Sequence, residues 1–99
     1  MATIAILPAF NEEVSIGSIV LRARQHVDHV VVIDDGSNDR TSEVATLAGA
    51  EVIRHPKNLG KGMALRTGFE RAGKNGCKVV ITMDSDGQHA VLHEAPCFL

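Results

Sequence analysis

Four β-branched residues in a row, Val30-Val31-Val32-Ile33, run straight into Asp34-Asp35-Gly36-Ser37. A β-branched run without polar alternation reads as a strand covered on both faces, the pattern of a parallel sheet flanked by helices. The two carboxylates cannot stay inside an apolar sheet unpaired. They mark the strand's carboxyl end, where ligands bind in an open α/β sheet. The same pattern returns late in the chain, where Val79-Val80-Ile81-Thr82-Met83 leads into Asp84-Ser85-Asp86-Gly87. Two parallel strands of this kind would bring their carboxylates to one acidic rim.

The remaining segments support that arrangement. Thr3 to Leu7 is a short apolar strand ended by Pro8, which cannot donate to a ladder. Asn11-Glu12-Glu13 is expected to open a helix capped by Asn11, with Val14, Ile16, Ile19, Val20 and Ala23 inward. A second helix follows Asn38-Asp39-Arg40-Thr41, capped by Asp39 or Thr41, with Val44, Ala45, Leu47 and Ala48 on its apolar face. Glu51 to His55 is a shorter, more polar strand that belongs near an edge. Lys61 to Ala72 spaces Met63, Ala64, Leu65, Gly68, Phe69 and Ala72 as the inward face of a third helix. The order is β-α-β-α-β-α-β, which implies a Rossmann-like parallel sheet with right-handed crossovers. Residues 90–99 lose clear periodicity and are expected to form an atypical tail to a single domain over residues 1–99.

Composition narrows the function. With 99 residues the chain makes one small domain, and with three Phe and no Trp or Tyr its core is aliphatic. A formal net charge of -2 without a basic stripe argues against nucleic acid as a partner. Cys77 and Cys97 lie outside any C-x-x-C pattern and suit a reducing compartment. No signal peptide is visible, and no apolar run reaches the roughly 18 residues of a membrane span. The expected location is cytoplasmic, peripheral to the membrane if an acceptor resides there.

The candidate motifs each admit two readings. Asp84-Ser85-Asp86 could hold Mg²⁺ or Mn²⁺ through hard oxygen ligands, with Gln88 and His89 beside it, or could be an acidic turn capping a helix. Asp34-Asp35 could accept from a base imide or a ribose hydroxyl, or could be solvated carboxylates steadied by the Gly36-Ser37 turn. That pair would also fit a response-regulator pocket or a phosphatase nucleophile, although a haloacid-type phosphatase wants Asp-x-Asp after the first strand. Gly60-Lys61-Gly62 lacks the Walker spacing. It is either a positive helix entrance able to approach a diphosphate or a glycine-bounded turn. The five histidines show no zinc spacing, and all but His89 are expected at the surface.

Four stretches together resemble family 2 glycosyltransferases of the GT-A fold, in the branch of dolichol-phosphate mannose synthase and polyprenyl-phosphate sugar transferases. They are Leu7-Pro8-Ala9-Phe10-Asn11-Glu12-Glu13, Val32-Ile33-Asp34-Asp35-Gly36-Ser37-Asn38-Asp39-Arg40-Thr41, Arg54-His55-Pro56-Lys57-Asn58-Leu59-Gly60-Lys61-Gly62 and Asp84-Ser85-Asp86-Gly87-Gln88-His89. The resemblance implies that Pro8, Phe10 and Glu12 line the pocket for base and ribose, that Ile33 and Asp35 complete it, and that Asp35 reads the base. It implies that Asp84, Ser85 and Asp86 form the D-x-D that meets sugar and diphosphate, with Asp86 and Gln88 as ligands of Mg²⁺ or Mn²⁺. Asp84 and Asp86 would then be the catalytic carboxylates.

The implied activity is transfer of a hexose from a GDP- or UDP-sugar to an acceptor such as polyprenyl phosphate. A domain of this family is about twice this length. The resemblance therefore covers its nucleotide-binding half, and the acceptor side and general base are missing. The tail after His89 departs from the family, as a truncated product would. A nucleotide-sugar-binding module without turnover is the alternative, and a sheet that self-associates through an exposed edge is a third reading.

Overall fold

The computed structural model describes residues 3–74, 79–83 and 90–94. The elements are β1 (Thr3–Ala9), α1 (Ile16–Arg24), β2 (His29–Asp34), α2 (Thr41–Leu47), β3 (Glu51–Arg54), α3 (Lys61–Lys74), β4 (Val79–Met83) and β5 (Ala90–Glu94). The sheet order is β3-β2-β1-β4-β5. The strands β1 to β4 pair in parallel, and β5 runs antiparallel to β4.

Alternation along the central strands divides the core in two. Ala5, Leu7 and Ala9 of β1 and Val30 and Val32 of β2 pack with Ile16, Ile19, Val20 and Ala23 of α1 and Ala45 of α2. Ile4 and Ile6, with Val31 and Ile33, pack instead with Ala64 and Ala72 of α3. The middles of β1 and β2, residues 4–7 and 30–33, therefore carry apolar side chains on both faces, as a sheet buried on both sides requires. Full burial of one such aliphatic side chain is worth about 1.5–3 kcal/mol.

The two-sided core follows from the topology. Successive connections carry the chain from β1 outward to β3, and α3 then returns it across the sheet to β4. Right-handed crossovers in opposite directions place their helices on opposite faces. Strand order thus reverses between β1 and β4, and that is the place in such a sheet where a crevice opens at the carboxyl ends. Among the described residues no helix is long and apolar enough to cross a membrane.

Several expectations are corrected. Helix α1 begins at Ile16, because Asn11 takes a left-handed φ of 52° and the Glu12 carbonyl accepts from both Ser15 and Ile16 to form a preceding turn. Asn11 is therefore not its cap, and Val14 lies on that turn, 97% exposed. Leu47 is 80% exposed, since Thr41 and Ala45 fix the inward stripe of α2 and Leu47 falls off it. Met63 is likewise exposed, one step off the Ala64–Gly68–Ala72 stripe of α3. A fifth strand, β5, joins the four read from the sequence, its backbone pairing Met83 with Ala90 through Val79 with Glu94. Its residues have no helical periodicity, but the free edge of β4 satisfies their backbone groups. The cap of α2 is Arg40, without a side-chain cap bond, so neither Asp39 nor Thr41 fills the expected role; Asp39 stands one residue earlier and accepts from Thr41 N–H at 3.0 Å.

Candidate functional site

Register brings three strand tips to one edge. Ala9 lies beside Asp34, and Asp34 beside Arg54. Strand β4, parallel to β1, ends at Met83 on the same edge, immediately before Asp84 in the sequence.

The two adjacent aspartates do different work. Asp34 is wholly buried. Its Oδ1 accepts from Ser37 N–H at 2.8 Å, and its Oδ2 accepts from the Ser42 hydroxyl and, at 3.1 Å, from Arg54 Nη1. Arg54 Nη2 also donates to the Ser37 carbonyl at 2.5 Å. Asp34 therefore clasps the β2–α2 turn, the first turn of α2 and the end of β3. The Gly36-Ser37 turn steadies this carboxylate through Ser37 N–H, but the carboxylate is buried rather than solvated.

Asp35 serves the other side. Its Oδ1 lies 2.8 Å from His55 Nδ1 and accepts from Leu59 N–H at 2.9 Å, and its Oδ2 accepts from Gly60 N–H at 2.8 Å. An ionised carboxylate only accepts, so in this pair Nδ1 carries the ring proton. Burial by itself raises the Asp35 pKa, but the hydrogen bonds from His55, Leu59 and Gly60 outweigh it and hold the carboxyl below its ordinary value. With about two acceptor directions per oxygen, the bonds from described residues leave one direction open, on Oδ2.

Glycine at position 36 makes this packing possible. It has a φ of +80°, and a Cβ there would stand 2.5 Å from the Lys57 carbonyl carbon and 2.6 Å from Asn58 N. The loop from Pro56 to Gly60 thus folds directly over the tip of β2, which is how its amides reach Asp35.

The first loop is stitched to the second. Asn11 N–H donates to Ser37 Oγ and Asn38 N–H to Asn11 Oδ1, both at 2.8 Å. Glu12 N–H donates to Thr41 Oγ1 at 2.8 Å, and Glu13 N–H to Asp39 Oδ2 at 3.3 Å. The Thr41 hydroxyl in turn donates to Asp39. Three of the stretches singled out in the sequence therefore interlock, and several of their polar residues are occupied with one another.

The expected pocket residues are placed as follows. Pro8 is half-buried and pairs in register with Ile33. Phe10 is 42% exposed just beyond β1. Glu12 is half-buried, its Oε2 accepting from Ser15 Oγ at 3.0 Å. Ile33 is fully buried in the α3-side core, two residues before Asp35. Asp84, Ser85, Asp86, Gln88 and His89 lie outside the described residues, as do Cys77 and Cys97. Among the described residues no group of three His, Cys, Asp or Glu could hold a metal ion.

His55 corrects an expectation. It is 7% exposed rather than at the surface, and Nε2 lies 2.8 Å from Thr67 Oγ1 on α3. Arg54 was equally unassigned by the sequence. The signal for both was the parallel pairing of β2 with β3, which sets Arg54 beside Asp34 and carries His55 to the level of Asp35.

A sequence model of the glycosyl transferase family 2 matches residues 4–92. The chain belongs to glycosyl transferase family 2. The match runs through all three interlocked stretches and on past the D-x-D. A UDP-N-acetylglucosamine–dolichyl-phosphate N-acetylglucosaminyltransferase of Methanococcus voltae is 33% identical over 103 residues, covering 86% of this chain and 41% of that protein. A polyprenol monophosphomannose synthase of Mycolicibacterium smegmatis is 35% identical over 96 residues, covering 89% of this chain and 36% of that protein. Among solved structures, glucosyl-3-phosphoglycerate synthase of Mycobacterium tuberculosis with Mg²⁺ and uridine diphosphate superposes with a TM-score of 0.72 at 30% identity, covering 85% of this chain and 33% of that one. The same synthase with Mn²⁺, UDP-glucose and phosphoglyceric acid gives a TM-score of 0.68. The fold is that of the GT-A glycosyltransferases. This family 2 chain spans about a third to two fifths of the length of the relatives it matches.

Proposed function

We propose that this chain is the donor-nucleotide half of a metal-dependent hexosyltransferase, whose acceptor is a lipid-linked phosphate such as polyprenyl phosphate. The observation that carries the reading is Asp35. It is an ionised carboxylate with one acceptor direction that the described residues leave open, held at the carboxyl end of a central strand beside the point where strand order reverses. Such a group suits a base N–H. Phe10 offers an apolar face at the same edge, and Glu12 suits a ribose hydroxyl. The Methanococcus voltae relative is named for dolichyl phosphate and the Mycolicibacterium smegmatis relative for polyprenol, which supports a lipid acceptor.

The chemistry of the donor set fits Mg²⁺ or Mn²⁺. Asp84, Asp86 and Gln88 offer oxygen ligands only, with Asp86 and Gln88 as the direct ones. A bound divalent cation supplies charge neutralisation on the leaving diphosphate. Asp84 and Ser85 would meet the sugar.

The test is turnover. The purified chain is incubated with UDP- and GDP-hexoses, a short polyprenyl phosphate and Mn²⁺, and release of nucleoside diphosphate is followed. Release through donor hydrolysis or transfer is expected to exceed that of Asp86→Ala by about tenfold or more. Binding of donor without release would make the chain a nucleotide-sugar-binding module, and absence of both would overturn the reading.

A further inference from the structure

We propose that His55 is a positioning residue for nucleotide binding: held between Asp35 and Thr67, it fixes the Asp35 carboxylate with its open Oδ2 direction toward the base. The inference rests on the donor-site reading above and adds to it a residue outside the expected pocket.

Three bonds hold the residue, two of them made by the ring. The His55 backbone N–H donates to the Asp34 carbonyl at 2.8 Å, Nδ1 meets Asp35 Oδ1 at 2.8 Å, and Nε2 meets Thr67 Oγ1 at 2.8 Å. Thr67 Oγ1 also lies 3.0 Å from the Met63 carbonyl, so the chain of contacts ends on the backbone of α3. The other donors to Asp35 are amides of the loop at Leu59 and Gly60, where Leu59 is 42% exposed and Gly60 has a φ of 97°. Among the described residues His55 is the one side chain that donates to Asp35, and it is tied to a strand and a helix rather than to the loop. Rotating the carboxylate would break that bond. The ring therefore sets which acceptor direction of Asp35 remains for a ligand.

The two arms of the ring can be removed separately. His55→Asn places an amide nitrogen near the position of Nδ1 and keeps the arm to Asp35. His55→Gln reaches the position of Nε2 and keeps the arm to Thr67. Titration calorimetry with UDP and GDP in Mn²⁺, alongside thermal melting, is expected to give His55→Asn within about threefold of the wild-type affinity and His55→Gln weaker by about tenfold or more. Equal affinities for the two variants, or affinities that simply follow their melting temperatures, would overturn the proposal. A measurement on the wild-type chain removes any dependence on variant folding. In NMR spectra the ring resonances of His55 are expected to shift on nucleotide addition while those of exposed His26 do not, and an unmoved His55 ring would overturn it. Failure of the wild-type chain to bind either nucleotide would instead remove the donor-site reading itself, and the role of His55 with it.

Discussion

Asp34 and Asp35 are chemically identical neighbours, and the pleat separates their roles. Successive side chains leave a strand on opposite faces, so Asp34 meets Ser42 of α2 while Asp35 meets His55 and the loop before α3. Asp34 has become part of the scaffold, and Asp35 keeps an acceptor direction. The depressed pKa of Asp35 gives a prediction at this scale. A carboxyl whose folded pKa lies below its unfolded one contributes stability that is complete above the ordinary value of about 3.9 and is lost as pH falls through the folded value. Urea midpoints are expected to hold from pH 7 to about pH 5 and to drop below about pH 4. Asp35→Asn should flatten that drop, and an unchanged drop in Asp35→Asn would assign it elsewhere, for instance to Glu51, which its hydrogen bond from Arg71 also depresses. The position of both aspartates at a strand end was legible in the sequence, because charge cannot continue an apolar run. Their partners were not, because a histidine one strand away is placed by register, and a slip of one residue would turn it to the other face.

At the level of elements, helix α3 is docked by close approach and by a clamp. A Cβ at Gly68 would stand 2.3 Å from Ile6 Cγ2, so the helix backbone lies almost directly on β1. Further along, Arg71 donates to both oxygens of Glu51 at 2.5 and 2.7 Å, and Glu51 lies 3.0 Å from His29. These contacts join α3 to the first residue of β3 and the first of β2. Gly68→Ala raises helix propensity but forces α3 off the sheet, and the overpacking is expected to dominate, costing about 1–3 kcal/mol in chemical denaturation. A stabilised Gly68→Ala variant would contradict the close approach. The alternation of helices and strands was readable from periodicity alone. The start of α1 was not, because Asn11 has a left-handed backbone and its side chain is taken by Asn38, a long-range bond that outweighs its local capping tendency. Strand β5 was missed for a similar reason, since its partner is the edge of β4 rather than anything local.

In the whole molecule, the reversal of strand order between β1 and β4 organises everything else. It sets α1 and α2 against one face and α3 against the other, and it delivers the ends of β1, β2 and β4 to one edge. The three described stretches that carry the family resemblance emerge there, and β4 ends there just before the fourth in the sequence. Much of their polar content holds the loops together, through Asn11, Ser37, Asn38, Asp39 and Thr41, and Gly36 admits the third loop over the second. On the proposed function, the edge so built receives a nucleoside diphosphate at Asp35. The most direct test is calorimetric titration of the folded chain with UDP and with GDP, with and without Mn²⁺. Saturable binding of one nucleotide is expected, strengthened by Mn²⁺ in the wild type but not in Asp86→Ala, and weakened about tenfold or more by Asp35→Asn. A folded chain that binds neither nucleotide, or binds one equally well with Asn at position 35, would contradict it.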